Sequence, residues 1–532
     1  FEDTVVLRMG KLELVRNQWR KFSYEVDTTG NYIPLPANDP VKVDVLAVNI
    51  EENDQRLPIR YVTPPGIERQ QQLSNNNVQL LQNEQSLALR VCGLAKTEAR
   101  GVFKTMNLDL RSYGKLSMFI HAESSDLASG GTNLSHGDVS AIIRFGNDFV
   151  SNYYEIRIPL NLTQLSAGSL NPDTDAYNDT LWIPSNSLDL DLTQLTKIKQ
   201  QRNLSSSALG TIFRQAQPNG QVYSVMGNPN LGEVRGILIG VENTNAPDAC
   251  GEIWVNELRL SSIDEQGGYA ALGRVDVNLA DLGTLSLSAN GHTKGFGTLE
   301  QRTNERFRDD FFQFDIAANL ELGKLLPKGA GMSIPVFASY SQTVSTPEYD
   351  PYDLDIKLKD KLRAVPQSQR DSIRKNAIDF TSIKTINFTN VRKNKMNGKK
   401  PKIYDISNVD VSYSYIKTSS HNPLIEYNDV TRHRGALGYN FSPQPKYIEP
   451  FKRFFKKDKK HWFDLIKDFN FNYIPSQLSF RADVSRQFGV IRPRSIGASK
   501  YAIPETYDKY FVFQRDYIAR WNFTRSLTFD YT

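Results

Sequence analysis

Between Phe311 and Leu322 the chain reads FFQFDIAANLEL, and its apolar and polar positions alternate. Phe312, Phe314, Ile316, Ala318, Leu320 and Leu322 fall on one face of a predicted strand. Gln313, Asp315, Ala317, Asn319 and Glu321 fall on the other, because strand side chains repeat with period two. About eleven residues rising ~3.3 Å each and tilted by ~45° span about 25 Å, the height of the apolar band on an outer-membrane barrel. The pattern predicts a wall strand, with Phe312, Phe314, Ile316 and Leu320 facing lipid and Gln313, Asp315, Asn319 and Glu321 facing a wet lumen.

The same grammar recurs from residue 266 to 532. Val275, Val277 and Leu279 alternate, as do Leu285, Leu287 and Ala289, and then Met332, Ile334, Val336, Ala338 and Tyr340. Val409–Tyr415, Leu437–Phe441, Phe469–Tyr473, Leu478–Val484, Trp521–Phe523 and Leu527–Tyr531 follow. About ten strands are expected here, forming one segment of a very large antiparallel transmembrane β-barrel. Connections are expected to run short and long in turn: 281–284, 295–309, 323–330, 344–381, 394–405, 419–432, a helix-like link at 443–468, 488–508 and 524–526. Outer-membrane barrels alternate short periplasmic turns with long extracellular loops. On that parity the 281–284 turn is periplasmic and the first half enters the barrel from outside the cell. Counting this way takes Phe469–Gln487 as one strand bent at Pro475.

Residues 1–265 read differently. Leu116–His121, Val139–Phe145, Tyr153–Ile158, Val234–Val241 and Glu252–Leu260 are short strands with polar loops between them and almost no helical pattern. Continuous runs such as AIIRF suit a sheet buried inside protein. This half is expected to be a β-sandwich of jelly-roll type, inserted before the barrel strands as an extracellular cap. Two later stretches break the strand pattern. Leu354–Phe380 is charged and partly helical, and Tyr447–Asp468 sets aromatics around a basic core. An amphipathic helix is expected near 447–468, lying on a membrane surface or packed against the barrel rim.

Composition narrows the function. With 64 basic and 59 acidic residues the chain carries no field that implies nucleic acid as a partner. No run of 18 apolar residues is present, which excludes a transmembrane helix and leaves barrel strands untouched. The chain begins at Phe1 and stops within an alternating run, so an internal piece of a longer protein is expected. Cys92 and Cys250 read either as buried small apolar residues or as a disulfide, which persists only in an oxidising compartment, and their spacing leaves both open. The six His show no metal-ligand spacing, GKLLPKGAG at Gly323–Gly331 lacks the ending of a phosphate loop, and Asp173, Asp175, Asp179, Asp189 and Asp191 do not match a calcium loop. No enzyme activity, metal or cofactor is expected. Basic clusters at Arg392–Lys402 and Lys452–Lys460 read as lipid-headgroup contacts or as solvated turns. The lumen-side positions mix signs, Asp315 and Glu321 with Arg481 and Arg520, which suits varied cargo better than an ion-selective pore.

Long stretches carry a family resemblance: IEENDQRLPIRYVTPPGIERQQQ (Ile50–Gln72), NEQSLALRV (Asn83–Val91), VFKTMNLDLRSYGKLSMFIHAE (Val102–Glu123), IRFGNDFVSNYYEIRIPL (Ile143–Leu160), GEIWVNELRLS (Gly251–Ser261) and STPEYDPYDLDI (Ser345–Ile356). Through them the chain resembles the SprA/Sov family, the outer-membrane translocon of the type IX secretion system of Bacteroidetes, which also serves gliding motility. The resemblance implies a giant barrel passing folded cargo proteins across the outer membrane. It also implies a lateral gate with a PorV-type barrel partner, a periplasmic plug protein, contact with outer-membrane lipids, and no catalytic residues. Two other readings stay open: a different large outer-membrane barrel, such as a receptor or a lipopolysaccharide-export barrel, and a soluble surface adhesin or carbohydrate-binding protein made of two sandwiches.

Overall fold

The computed structural model describes residues 19–26, 32–69, 71–72, 80–124, 134–165, 170–205, 207–395, 402–454, 464–496 and 503–532. In chain order the strands are β1 (Arg20–Lys21), β2 (Lys42–Asn49), β3 (Gln71–Gln72), β4 (Leu80–Leu81), β5 (Gln85–Ala95), β6 (Ala99–Leu108), β7 (Tyr113–Ser124), β8 (Val139–Gly146) and β9 (Tyr153–Pro159). Next come β10 (Leu188–Asp191), β11 (Phe213–Ala216), β12 (Val222–Met226), β13 (Val234–Asn243), β14 (Asp248–Ile263), β15 (Ala270–Asn278), β16 (Gly283–His292), β17 (Asp309–Glu321), β18 (Met332–Ser333) and β19 (Pro335–Pro347). The last are β20 (Tyr349–Asp350), β21 (Asp353–Lys357), β22 (Asp379–Lys393), β23 (Val409–His421), β24 (Ile425–Phe441), β25 (Gln477–Pro493), β26 (Thr506–Asn522) and β27 (Thr528–Tyr531). Helices are few: α1 (Ile50–Asn53), α2 (Asp175–Leu181), α3 (Leu192–Leu204), α4 (Leu358–Ala364), α5 (Gln367–Ala377) and α6 (Asp464–Lys467). The protein is all-β in class, built from antiparallel sheets.

The chain divides into two units: Phe1–Gln266 with Tyr352–Lys361, and Gly267–Pro351 with Leu362–Thr532. In the first, a seven-stranded sheet (β1-β6-β13-β8-β9-β12-β11) faces a five-stranded one (β10-β7-β14-β5-β2). Leu89, Leu94, Ile120 and Ile253 from the smaller sheet meet Ile143, Ile156, Val225 and Ile239 from the larger in one buried core. Each such side chain contributes about 1.5–3 kcal/mol of transfer free energy. A second cluster, with Trp182, Trp254, Tyr177 and Tyr61, joins α2 to the smaller sheet, and a third holds Phe22, Ile142 and Leu238. Ile142 and Ile143 are adjacent, so both faces of β8 are buried, which explains its unbroken apolar run.

Buried charges in this unit are paired. Arg144 and Glu155 are register partners on β8 and β9, both sealed from solvent, with Nη2 to Oε2 at 2.5 Å. Burial alone would raise the Glu155 carboxyl, but Arg144 and Arg157 reverse this and hold it below the usual glutamate range. Burial also opposes ionisation of Glu123, yet His121, with Nε2 3.5 Å away, and the hydrogen-bonded Arg56 lower it. Cys92 and Cys250 lie opposite each other on β5 and β14 and are joined by a disulfide. The sequence reading found almost no helix here, yet α3 runs thirteen residues, capped by Asp191, whose side chain accepts from the Thr193 amide. Its buried face continues past Leu192, Leu195 and Ile198 into Lys199 and Arg202, so its apolar stripe is broken and its period is hidden.

The second unit is an eleven-stranded antiparallel sheet, β15-β16-β17-β19-β22-β23-β24-β25-β26-β27, with β18 added beside β22. Its edges among the described residues are β15 and β27. The tight turn before β16 needs Gly283, with φ 149°, because a Cβ there would lie 1.9 Å from the Asn319 carbonyl oxygen.

Several expectations are corrected. The expected long connection at 419–432 is a hairpin: β23 and β24 pair up to Ser420 and Asn428, and Asn422 turns the chain by accepting from the Ile425 amide. Glu426, Asn428, Asp429, Thr431 and Arg432 are polar on both sides of the strand, which masks its period. The links 279–282, 322–334, 394–408, 442–476 and 523–527 leave one end of the sheet, and 293–308, 348–378, 422–424 and 494–505 leave the other. The link 442–476 is the longest and 422–424 the shortest, so length does not alternate. The periplasmic assignment of 281–284 and the outside entry of the first half lose their basis. The expected helix near 447–468 is absent from 447–454, where Ile448 bridges Phe471 and Pro450 follows, since proline removes a backbone donor. Residues 455–463 lie outside the described residues, and only the one-turn α6 is helical beyond them. Phe469–Tyr473 does not extend β25, which starts at Gln477 after Pro475.

Candidate functional site, a two-faced sheet

Register places the residues of β17 without ambiguity. Gln313 faces Asn290 and Thr343, Asp315 faces Ser288 and Ser341, and Asn319 faces Thr284 and Phe337. Phe314 pairs with Ala289, Ile316 with Leu287 and Tyr340, and Leu320 with Val336. Phe312, Phe314, Ile316 and Leu320 therefore share one face, and Gln313, Asp315, Asn319 and Glu321 share the other.

The polar face is a hydrogen-bonded lattice of both signs. Ser286 donates to Asp276 at 2.7 Å, and Gln313 Nε2 donates to Asp315 at 3.0 Å. Arg481 and Arg434 approach Asp483 at 2.7 and 3.4 Å. Arg432 Nε donates to Gln487 at 2.6 Å, and Gln487 Nε2 donates to Asp508 at 2.5 Å. Glu321 accepts from Ser333 Oγ at 3.2 Å and from the Ile334 amide at 2.5 Å. Gln313 with Asp315 and Arg481 with Asp483 each pair along one strand, and the others join neighbouring elements as cross-strand pairs do.

The opposite face is apolar, and large side chains on it are exposed among the described residues. Phe312 is 52% exposed, Ile316 39%, Phe511 66% and Phe513 50%. Ring pairs knit it: Phe314 with Tyr340 at 5.6 Å, and Phe480 with Tyr517 at 5.1 Å. Three of its cations lie over rings, Lys384 over Tyr340, Arg515 over Phe513 and Lys509 over both Phe488 and Tyr507.

Two rows stay apolar over four strands, Leu320–Val336–Phe388–Tyr413 and Ala318–Ala338–Ile386–Tyr415, while others turn polar. Ile316 leads by register through Tyr340 to Lys384, Lys417 and Thr431. Phe314 leads through Gln342 to Ser382, Ser419 and Asp429. In β23 the apolar set lies at Val409, Val411, Tyr413 and Tyr415, and in β24 at Leu437, Tyr439 and Phe441. At β24 the Leu320 and Ala318 rows end in Gly435 and His433 and the apolar set lies further along, so the band moves toward the Val409 end between β23 and β24. On β26 it lies in those rows again, at Phe513 and Phe511.

Sequence reading found the faces of β17 and missed the polar halves of β23 and β24. A signal for them was available in the length of the uninterrupted stretch from Val409 to Phe441, which needs only one turn at Asn422–Pro423. Among the described residues no group of His, Cys, Asp or Glu is arranged to hold a metal ion, and no helix is long and apolar enough to cross a membrane.

Sandwich and two-faced sheet together define an all-β protein whose first half buries its apolar surface internally and whose second half does not. The chain belongs to the SprA family, described as motility-related and secretion proteins, whose N-terminal family model matches residues 1–362. That span takes in the first unit and the sheet through β19. No curated protein matches the chain.

Proposed function

We propose that residues 267–532 form part of the wall of a protein-conducting outer-membrane β-barrel, a translocon that exports folded cargo through the type IX secretion system. The open apolar face set against a hydrogen-bonded polar face carries this reading. A soluble sandwich buries such a face against a second sheet, as the first unit does. Membership in a secretion and motility family supports the same reading.

On this proposal Phe312, Phe314, Ile316 and Leu320 face lipid, and Gln313, Asp315, Asn319 and Glu321 line the water-filled passage. Unpaired strand edges cost several kcal/mol per group in hydrocarbon, so β15 and β27 pair with strands beyond this sheet. A wide barrel cannot fill its lumen with side chains, and the mixed-sign polar lattice suits passing protein. The disulfide between Cys92 and Cys250 fits an oxidising compartment outside the cytosol. A PorV-type barrel at a lateral gate, a periplasmic plug, secreted cargo and outer-membrane lipids are the partners proposed. The chain itself is assigned no catalysis.

Cysteines placed singly at positions 312 to 316 in vesicle-reconstituted protein test the reading. A membrane-impermeant maleimide is expected to label Gln313→Cys and Asp315→Cys, and to spare Phe312→Cys, Phe314→Cys and Ile316→Cys. Equal labelling at all five, or a chain that stays monodisperse without detergent, overturns it.

A further inference from the structure

Lys199 and Arg202 on α3 are buried cations that the sheet does not use. Lys199 Nζ lies 2.7 Å from Oδ1 of Asp355 and 2.8 Å from the Pro229 carbonyl oxygen. Tyr154, wholly buried on β9, donates its hydroxyl to the other oxygen of Asp355 at 2.5 Å. Asp353 stands 3.5 Å from Lys199 and accepts from Asn203 Nδ2 at 3.3 Å. Arg111 Nη1 donates to the Leu354 carbonyl at 3.0 Å, and Ile356 and Leu358 are buried just beyond the anchor.

Asp355 is 156 residues from Lys199 in sequence, yet Tyr352–Lys361 packs as part of the first unit. An extended segment from remote sequence is thus held by a buried carboxylate anchor, a backbone contact and flanking apolar side chains. The segment adds no strand to either sheet of the first unit, since β21 pairs with β20, so side-chain contacts and the Arg111 bond hold it there. A permanent core element gains little from a buried ion pair, which apolar side chains of equal volume often replace without loss. A segment that must also stand in water needs charges such as Asp353, Asp355, Lys357 and Lys361.

We propose that Lys199, Tyr154 and Arg111 form a cleft for a peptide with a buried aspartate anchor, occupied in cis by Tyr352–Lys361 with Asp355 as that anchor, and that this occupation is exchangeable. It is tested in the full chain with Tyr352–Lys361 replaced by a Gly-Ser linker of equal length. A fluorescein-labelled peptide of residues 349–362 is titrated into it and followed by anisotropy. Saturable binding is expected, weakened ~100-fold or more by Asp355→Ala in the peptide or Lys199→Met in the protein, since either strands a buried charge. The unaltered chain, its cleft filled, is expected to bind the same peptide poorly. Equal affinity for the Asp355→Ala peptide overturns the proposal, as does absent binding in a linker variant with intact near-UV circular dichroism. A linker variant that fails to fold also overturns it, because the segment is then a fixed part of the core.

Discussion

β8 and β17 are both strands rich in large apolar side chains, and their surroundings are opposite. Every residue of β8 is buried, with Ile143 in the inter-sheet core and Ile142 in a second cluster behind it. On β17 the polar side joins a hydrogen-bonded lattice while Phe312 and Ile316 stay open. At about 25 cal/mol per Å² of apolar surface removed from water, the first unit collects its hydrophobic stabilisation from its own chain. On the proposed function the sheet draws that stabilisation from lipid. The two units should therefore fail under different insults.

The largest separation is expected from the disulfide. Cys92 and Cys250 close a loop 158 residues apart, for which the chain-entropy estimate is about 5 kcal/mol. Replacing both with Ala should lower the unfolding temperature of the first unit, read from the near-UV signal of buried Trp182 and Trp254. Heat-modifiable gel migration of the sheet in detergent should not change. If both transitions fall together, the units do not draw on separate sources of stability.

Next is the ion pair of β8 and β9. Glu155→Ala leaves Arg144 buried without its register partner, a loss of about 3–5 kcal/mol confined to the first unit. Glu155→Gln supplies the pH readout. The Glu155 carboxyl is held below its ordinary value, so its contribution is present above the unfolded pKa and is lost as pH falls through the folded one. Wild type should lose first-unit stability below about pH 4, and Glu155→Gln should lose it less steeply. Glu123, Asp148 and Asp39, the last lowered by its hydrogen bond from Arg100, add to this slope, and Glu242, raised by burial, opposes it.

How much of this was legible depends on whether the signal was local. The faces of β17 are written in adjacent residues, and the strands at Val139–Phe145 and Tyr153–Ile158 in short apolar runs. The first half of β24 was not legible, because Asn428, Asp429, Thr431 and Arg432 lie where the band has slipped past and both faces are polar. The disulfide needed the register of β5 on β14. The anchor of Asp355 on Lys199 needed a contact between residues 156 apart, and the two cations hid α3 as well. Connection length misled because extended strand ends look like loops when neither face meets an apolar phase.

A third expected effect strikes the sheet alone. Ile316→Arg places a charge on the open apolar face and should cost about 2–4 kcal/mol of folding free energy in bilayers. Gln313→Arg, three residues away on the lattice side, should stay within about 0.5 kcal/mol. Similar costs for the two would erase the difference between the faces.

The smallest expected effect probes the slip. Lys417 and Tyr413 lie on the same face of β23, and Lys417 shares a register row with Ile316. If depth followed the row, Lys417 would sit as deep as Ile316, and Lys417→Leu would stabilise the sheet by about 2 kcal/mol or more. With the band displaced along tilted strands, Lys417 stands outside it and Lys417→Leu should change stability by less than about 0.5 kcal/mol. Tyr413→Lys, inside the displaced band, should then carry the larger cost. Urea titration of both variants folded into vesicles reads the two positions against each other. The sign of their difference says whether depth follows the hydrogen-bond row or the tilt.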